Sequence, residues 1–149
     1  MNIRINNNQK IRKIDRRRLR QLLRHLVKTA KLREAPLEFS ELSLLLTDNS
    51  GIRAINGRLF DSLSITDVIS LDYPPIPGEQ RNARTGEIIV NVEKAVEEAA
   101  RRKQTDESTE LGLYLAHACN HLSGREDDTT EKRKAMRRNH QLQNNVQKP

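Results

Sequence analysis

The sequence predicts an α+β fold in which helices pack on one small mixed β-sheet. Helix-like and strand-like segments are interleaved along the 149 residues without strict βα alternation. Aromatic residues make up only 3% of the chain, so the core must be built from Leu, Ile and Val. The length suits a single domain, which we expect to span residues 1–142 and to be followed by a frayed tail over residues 143–149.

The first two elements are a short strand and a basic helix. Isoleucines alternate with polar residues over Asn2–Asn6, which is typical of a short strand. Asp15 is a candidate N-cap, and the leucines after it recur at helical spacing. We therefore expect a helix over Arg16–Arg33, ended by Pro36.

Two further strands and a short helix are predicted in the middle of the chain. The segment FSELSLLLTD indicates a buried strand over Phe39–Leu46. Thr47 or Asp48 would cap a short helix over about residues 52–59. The segment SITDVISLDY then predicts a strand over Asp67–Leu71.

The second half of the chain begins with a loop rich in Pro, Gly and charge, YPPIPGEQRNARTG. A further strand is expected over Glu87–Val92, followed by the amphipathic helix VEKAVEEAARRK. The segment STELGLYLAHACNHLSG predicts a largely buried helix, with Ser108 at its start and Gly124 just after its end. A last polar helix would pack through Met136.

Positive charge is concentrated at the start of the chain. Twelve of the 27 Lys and Arg residues lie in the first 33 positions, where the only acidic residue is Asp15, and the net charge of the whole chain is +7. Such asymmetry favours a polyanionic partner, most simply a nucleic acid. An anionic membrane surface is a weaker alternative, because the basic helix has no Trp or Phe to anchor it.

The expected compartment is the cytoplasm. The start of the chain lacks the apolar segment of a secretory signal, and no run approaches the length of a membrane span. The single cysteine, Cys119, excludes an internal disulfide and fits a reducing environment. It should lie about 200° around the helix from His117, where a small core residue is more plausible than a metal ligand.

His117 and His121 are the strongest candidates for a functional site. Four residues separate them, so on a helix their side chains lie about 40° apart and can share one metal ion. Glu126, Asp127 and Asp128, beyond the turn at Gly124, offer carboxylates for a third ligand. Two histidines with one carboxylate form a known catalytic zinc arrangement. A chance pair of histidines beside a solvated acidic turn is the simpler alternative.

Three segments in the same order resemble a known family. HACNHLSGRED followed by EKRKAM resembles the pattern of the YbeY-type endoribonucleases, the bacterial rRNA maturation factors, and matches it at His117, His121, Leu122, Gly124 and Met136. INGRLFDSLSITDVISL resembles that family's N-x3-R-x4-P-T-D-V-L-S-F block, with matches at Asn56, Thr66, Asp67, Val68 and Ser70. GEIIVN resembles the G-D-I-x-I strand of the family.

This resemblance implies an α+β fold with one metal ion on the histidine helix, zinc or alternatively another divalent metal. It also implies a metal-dependent hydrolase that cleaves RNA phosphodiester bonds with a metal-activated water. The implied role is maturation and quality control of ribosomal RNA, with the small subunit as the expected partner. Residues expected to contact the RNA lie on the basic helix and around the second block: Arg16, Arg17, Arg20, Arg24, Arg58, Thr66 and Ser70.

Three positions depart from the family pattern: Asp127, Phe60 and Ile65, the last of which stands where the family has a proline. Asp127 stands where the family has a third histidine; a carboxylate can still ligate zinc, so the resemblance implies a metal set of His117, His121 and Asp127. Phe60 stands where the family has an arginine that would steady a charged phosphate. These departures motivate an alternative function, a weakly active or inactive RNA- or ribosome-binding module.

A metallopeptidase is the least favoured function. Zinc peptidases of the H-E-x-x-H kind carry a glutamate directly after the first histidine, where it serves as general base. This chain has Ala118 at that position.

Overall fold

The computed structural model describes residues 1–78 and 83–124. Within them the chain forms four strands and four helices. In chain order these are β1 (Asn2–Asn7), α1 (Arg16–Thr29), β2 (Phe39–Thr47), α2 (Asn49–Phe60), β3 (Val68–Tyr73), β4 (Arg84–Asn91), α3 (Val92–Arg102) and α4 (Glu107–Leu122). None of these helices is long and apolar enough to cross a membrane. The predicted final helix and tail, with Met136, lie outside the described residues.

One mixed four-stranded sheet forms the centre of the fold, in the order β1-β2-β4-β3. β1, β2 and β4 are parallel, and β3 runs antiparallel to β4 at one edge. The prediction of an α+β fold with a small mixed sheet is confirmed.

Side chains that alternate along the strands build two separate apolar layers. On one face, Leu42, Leu44 and Leu46 of β2 pack with residues of α1, α3 and α4. On the other face, Ile69 of β3 and Ile89 of β4 pack against α2. The sheet therefore lies between three helices on one side and one helix on the other.

The basic helix ends earlier than its sequence predicts. α1 stops at Thr29 and not at Arg33, because Lys31 adopts a left-handed backbone with φ of 56°. The Leu32 amide then donates back to the Val27 carbonyl at 3.1 Å, and the Leu32 side chain enters the core with none of its surface exposed. Burial of this leucine sets the end of the helix, before Pro36 is reached.

The other helix ends are set by side chains that cap them. Asp15 and Asp48 accept hydrogen bonds at the starts of α1 and α2, as predicted. α4 begins one residue before the predicted Ser108, because Asp106 accepts from the Thr109 amide at 2.7 Å. Gly124 follows the end of α4 with φ of 76°, the predicted conformation.

β3 and β4 extend farther toward the Pro-rich loop than predicted. β3 continues to Tyr73, and β4 begins at Arg84, so that Tyr73 pairs with Thr85. Arg84 and Asp72 join the two strands through hydrogen bonds of 3.0 and 2.7 Å. This charge-paired extension leaves a shorter loop, of which residues 74–78 are exposed.

We predict that Leu44→Ala lowers the free energy of unfolding by about 2–5 kcal/mol, because Leu44 is fully buried in the central strand. Leu63→Ala is the matched control, since Leu63 is 74% exposed, and it should change stability by less than about 0.5 kcal/mol. Urea unfolding followed by circular dichroism measures both. Equal losses in the two variants would contradict this core.

Cys119 is predicted to be unreactive in the folded protein. It is buried in α4, and burial raises the pKa of its thiol to about 12, so almost no thiolate forms at pH 8. A chromogenic disulfide reagent should label it slowly in buffer and rapidly in urea. Rapid labelling without urea would contradict the packing of α4.

Candidate metal centre

A polar stripe runs along one face of α4. Glu110, Tyr114, His117 and His121 follow one another at spacings of four, three and four residues, which places them within about 60° around the helix. Their exposure rises toward the end of the helix: Glu110 and Tyr114 are buried, His117 is half-buried and His121 is exposed. The two predicted metal ligands thus share one face, at the end of α4 that meets solvent.

The His121 ring is attached to the edge strand β3. The Ser70 hydroxyl and Nδ1 of His121 lie 2.7 Å apart, a hydrogen bond between the sheet and the last turn of α4. Ser70 belongs to the face of β3 that also carries the buried Val68, and this face packs against α4. The structure therefore brings together two residues with different predicted roles: metal binding for His121 and RNA binding for Ser70.

Asp67, directly before β3, interacts electrostatically with His117. Burial raises the pKa of the Asp67 carboxyl, whereas hydrogen bonding to the Val68 amide and the charge of His117 lower it in part. The Val68 amide donates to Oδ1 of Asp67 at 2.7 Å, which holds the carboxylate in place. His117 thus has an acidic neighbour from the sheet side, and His121 has a hydroxyl.

The buried end of the stripe contains no basic side chain. Tyr114 donates a long hydrogen bond of 3.5 Å to Oε1 of Glu110. Burial first, and then the charges of Asp67 and Glu110, raise the pKa of the Tyr114 phenol, so the phenol remains protonated. This part of the stripe supplies a neutral hydroxyl and carboxyl groups beside the histidines.

Asn91 holds the segment before β3 in place. It is fully buried at the end of β4, and its backbone amide donates to the Asp67 carbonyl at 2.8 Å. Its side-chain amide donates to the Thr66 carbonyl at 3.1 Å and to Oδ1 of Asn49 at 2.8 Å. Its own oxygen accepts from the Lys94 amide, which caps α3.

Thr66 does not fit the prediction that it contacts RNA, because none of its surface is exposed. Its hydroxyl oxygen accepts a hydrogen bond of 3.3 Å from the buried Asn56 side chain. Asn56 also donates to the Ser64 carbonyl at 2.9 Å. Thr66 and Asn56 therefore fix the loop between α2 and β3.

The donor atoms of the two histidines suit zinc, which binds neutral imidazole well. Metal-bound histidines commonly use their second ring nitrogen for a hydrogen bond, and the Ser70 contact to Nδ1 of His121 has this form. Within residues 1–78 and 83–124, no three His, Cys, Asp or Glu side chains are grouped closely enough to hold a metal. Asp127, the predicted third ligand, lies outside those residues, as do Glu126 and Asp128.

The predicted RNA-binding arginines of α1 fall into two kinds. Arg16 donates to the Ile5 carbonyl at 2.8 Å, and Arg20 donates to the Ile3 carbonyl, so both side chains cover the outer edge of β1. Arg17 and Arg24 are exposed to solvent. Of the four, Arg17 and Arg24 are the better placed for phosphate binding.

Arg58 lies on a different side of the molecule. It is exposed in the last turn of α2, which packs on the face of the sheet opposite α1 and α4. Phe60, which replaces the arginine of the family pattern, follows at the end of the same helix and is 39% exposed. The basic surface of α1 and the end of α2 are thus separated by the sheet.

The fold and the histidine face can be compared with known proteins. The family model described as Endoribonuclease YbeY matches residues 4–146. The chain belongs to the YbeY family. The resemblance seen in three sequence blocks is thereby confirmed over nearly the whole chain.

Curated YbeY relatives agree with this assignment. The Endoribonuclease YbeY of Thermoanaerobacter sp. (strain X514) is 30% identical over 92% of this chain and 91% of its own length. That of Bacillus mycoides is 33% identical over 77% of this chain and 78% of its own. The solution structure of TM1509 from Thermotoga maritima shares the fold, with a TM-score of 0.55 and 20% identity over 93% of this chain and 85% of the other.

We predict that Asn91→Ala lowers the free energy of unfolding by about 2 kcal/mol or more. The variant removes the cap of α3, worth about 1 kcal/mol, and leaves the Thr66 carbonyl without its amide donor. Asn120→Ala is the control, since Asn120 is exposed on α4. Chemical denaturation measures both variants, and a neutral effect of Asn91→Ala would contradict the role of Asn91.

Proposed function

We propose that this YbeY-family protein is a metal-dependent endoribonuclease that cleaves ribosomal RNA during its maturation. The observation that carries the proposal is the pair of imidazoles one turn apart on α4, with the ring of His121 bound to Ser70 of the sheet. The endoribonuclease names of the curated relatives support the same reaction class.

His117 and His121 would hold a zinc ion, with Asp127 as the proposed third ligand. When bound, the ion would supply Lewis acidity, which activates water and offsets negative charge on the phosphate in the transition state. Ser70 keeps the His121 ring against β3, and the carboxylate of Asp67 lies near His117. The hydrogen bond limits the movement of the His121 ring before RNA arrives.

The proposed RNA-binding surface is the exposed side of α1. Arg17 and Arg24 project from this helix, and its only acidic neighbour in sequence, Asp15, is engaged in capping the helix. An RNA backbone would be attracted to this surface without regard to base sequence. We propose ribosomal RNA of the small subunit as the substrate and the cytoplasm as the place of action, including quality control of ribosomes.

The first test compares wild-type protein with His117→Ala, using Arg53→Ala as the control because Arg53 is exposed on α2, on the face of the sheet opposite α1 and α4. Loss of one imidazole ligand should weaken zinc binding by about 100-fold or more and abolish cleavage of a structured ribosomal RNA fragment. Elemental analysis and gel-based cleavage assays measure the two effects.

Cleavage assays with a metal chelator distinguish the two candidate functions. Chelation should stop cleavage by the wild type and added zinc should restore it, while Arg53→Ala behaves as the wild type does. Equal cleavage by wild type and His117→Ala would refute the proposed hydrolase. RNA binding that persists without any cleavage would instead favour the RNA- or ribosome-binding module that Phe60 and Asp127 motivate.

A second prediction concerns the basic helix. Arg24→Gln should weaken RNA binding at low salt and reduce the slope of log K against log salt by about 0.7, as expected for one lost contact to single-stranded RNA. Arg53→Gln is the charge-matched control, because Arg53 is exposed on α2 across the sheet. Fluorescence anisotropy over a salt series measures the slopes, and identical slopes for the two variants would contradict binding along α1.

A further inference from the structure

We propose that Ser70 is a positioning residue that fixes the tautomer of His121, so that Nε2 of the ring is presented to the metal. This inference rests on the proposed function, since it assumes that the histidine pair serves as a metal site. It assigns to Ser70 a role different from the RNA contact predicted from the sequence, because the hydroxyl is directed at the imidazole at 2.7 Å.

The position of Ser70 on the sheet makes it a firm anchor. Ser70 pairs with Ile88 in the antiparallel ladder between β3 and β4, two residues beyond the buried Val68. Its neighbours Ile69 and Leu71 point to the opposite face, against α2. Strand alternation therefore directs the Ser70 side chain toward α4, and the backbone ladder holds the strand that carries it in place.

The histidine end of the contact is less constrained by packing. His121 is exposed and lies in the last turn of α4, one residue before the buried Leu122. Packing alone leaves an exposed imidazole several ring orientations. The hydrogen bond to Ser70 favours the orientation in which Nδ1 faces β3, and Ser70 lies on a strand that the sheet holds in place.

The same contact can be made by either tautomer of the neutral ring, and the two tautomers differ in which nitrogen carries the proton. A neutral imidazole has one N–H and one lone pair, and a metal ligand must offer the lone pair. If Nδ1–H donates to the Ser70 oxygen, the lone pair is on Nε2, which points away from β3. If the hydroxyl donates to Nδ1 instead, Nε2 carries the proton and cannot bind the metal. We assign the first arrangement, because it alone leaves the Nε2 lone pair for the metal ion that the proposed function requires.

Two substitutions of Ser70 and one control test this assignment. Ser70→Ala removes the hydroxyl, and Ser70→Thr keeps it on a residue that strands favour. Ser43→Ala is the matched control, because Ser43 is also a half-buried strand serine but belongs to the face that carries Leu45, away from α4. Circular dichroism and amide spectra check the fold of each variant.

The deciding measurement is the tautomer of His121 in zinc-free protein. It is read from NMR spectra that correlate the ring nitrogens with the carbon-bound protons of the ring, recorded at a pH at which the ring is neutral. Signals of His121 are assigned by their loss in His121→Gln. We expect the Nδ1–H form in wild type, Ser70→Thr and Ser43→Ala, and a shift toward the Nε2–H form in Ser70→Ala. The Nε2–H form in wild type, or no change in Ser70→Ala, would overturn the proposal.

Zinc affinity, measured by competition with a chromophoric chelator, gives the second readout. Ser70→Ala should bind zinc about 10- to 100-fold more weakly than wild type, and Ser70→Thr and Ser43→Ala should bind as wild type does. Unchanged zinc affinity in Ser70→Ala would overturn the role of Ser70 while leaving the metal site intact. Wild-type protein that binds no zinc would refute the proposed function, whereas the NMR result would still report on the hydrogen bond itself.

Discussion

The arrangement of the candidate site depends on the hydrogen bonds of one buried side chain, the amide of Asn91. A polar group without access to water must find partners within the protein, and each hydrogen-bonding group of this side chain has one. Those partners belong to the segment before β3, to the start of α2 and to the first turn of α3. One residue at the end of the central strand β4 therefore fixes three chain segments relative to one another.

The histidine face follows from this arrangement. Because Asn91 fixes Thr66 and Asp67, β3 begins at a defined place beside β4, and Ser70 then faces α4. The apolar side of α4, with Leu115, Ala118 and Leu122 fully or almost fully buried, holds the helix against the same face of the sheet. The two histidines thus meet β3 through backbone pairing and core packing, and their own contacts supply only the final orientation.

The sequence predicted what depends on local pattern. The order of the eight described elements, the caps at Asp15 and Asp48, the turn at Gly124 and the shared face of the two histidines all follow from spacing within a few residues. The early end of α1 was not predicted, because it depends on Leu32 reaching a core built by distant strands. The boundaries of β3 and β4 likewise depend on pairing between Tyr73 and Thr85, which no local pattern reveals.

The site residues also divide into those that local spacing predicts and those that depend on contacts between distant parts of the chain. The spacing of His117 and His121 predicts that they share one face of a helix, and the structure places both on one face of α4; their role as metal ligands stays a prediction. The remaining features depend on contacts between residues far apart in the sequence. Asn91 and Thr66 are 25 positions apart, and Ser70 and His121 are 51 positions apart. The family pattern pointed to Thr66 and Ser70, but it could not distinguish a residue that contacts RNA from one that supports the loop or the histidine. Glu110 and Tyr114 were predicted only as parts of a helix, although they continue the polar stripe toward the core.

The two arginines that cover β1 also affect how this chain behaves toward copies of itself. An uncovered edge strand presents a row of carbonyl and amide groups to which another chain can add a strand, and proteins commonly guard such edges with long cationic side chains. Arg16 and Arg20 donate hydrogen bonds to the carbonyls of Ile5 and Ile3 on the outer side of β1. Replacing them would remove positive charge and at the same time open this edge to intermolecular pairing, so aggregation of such variants would say nothing about RNA.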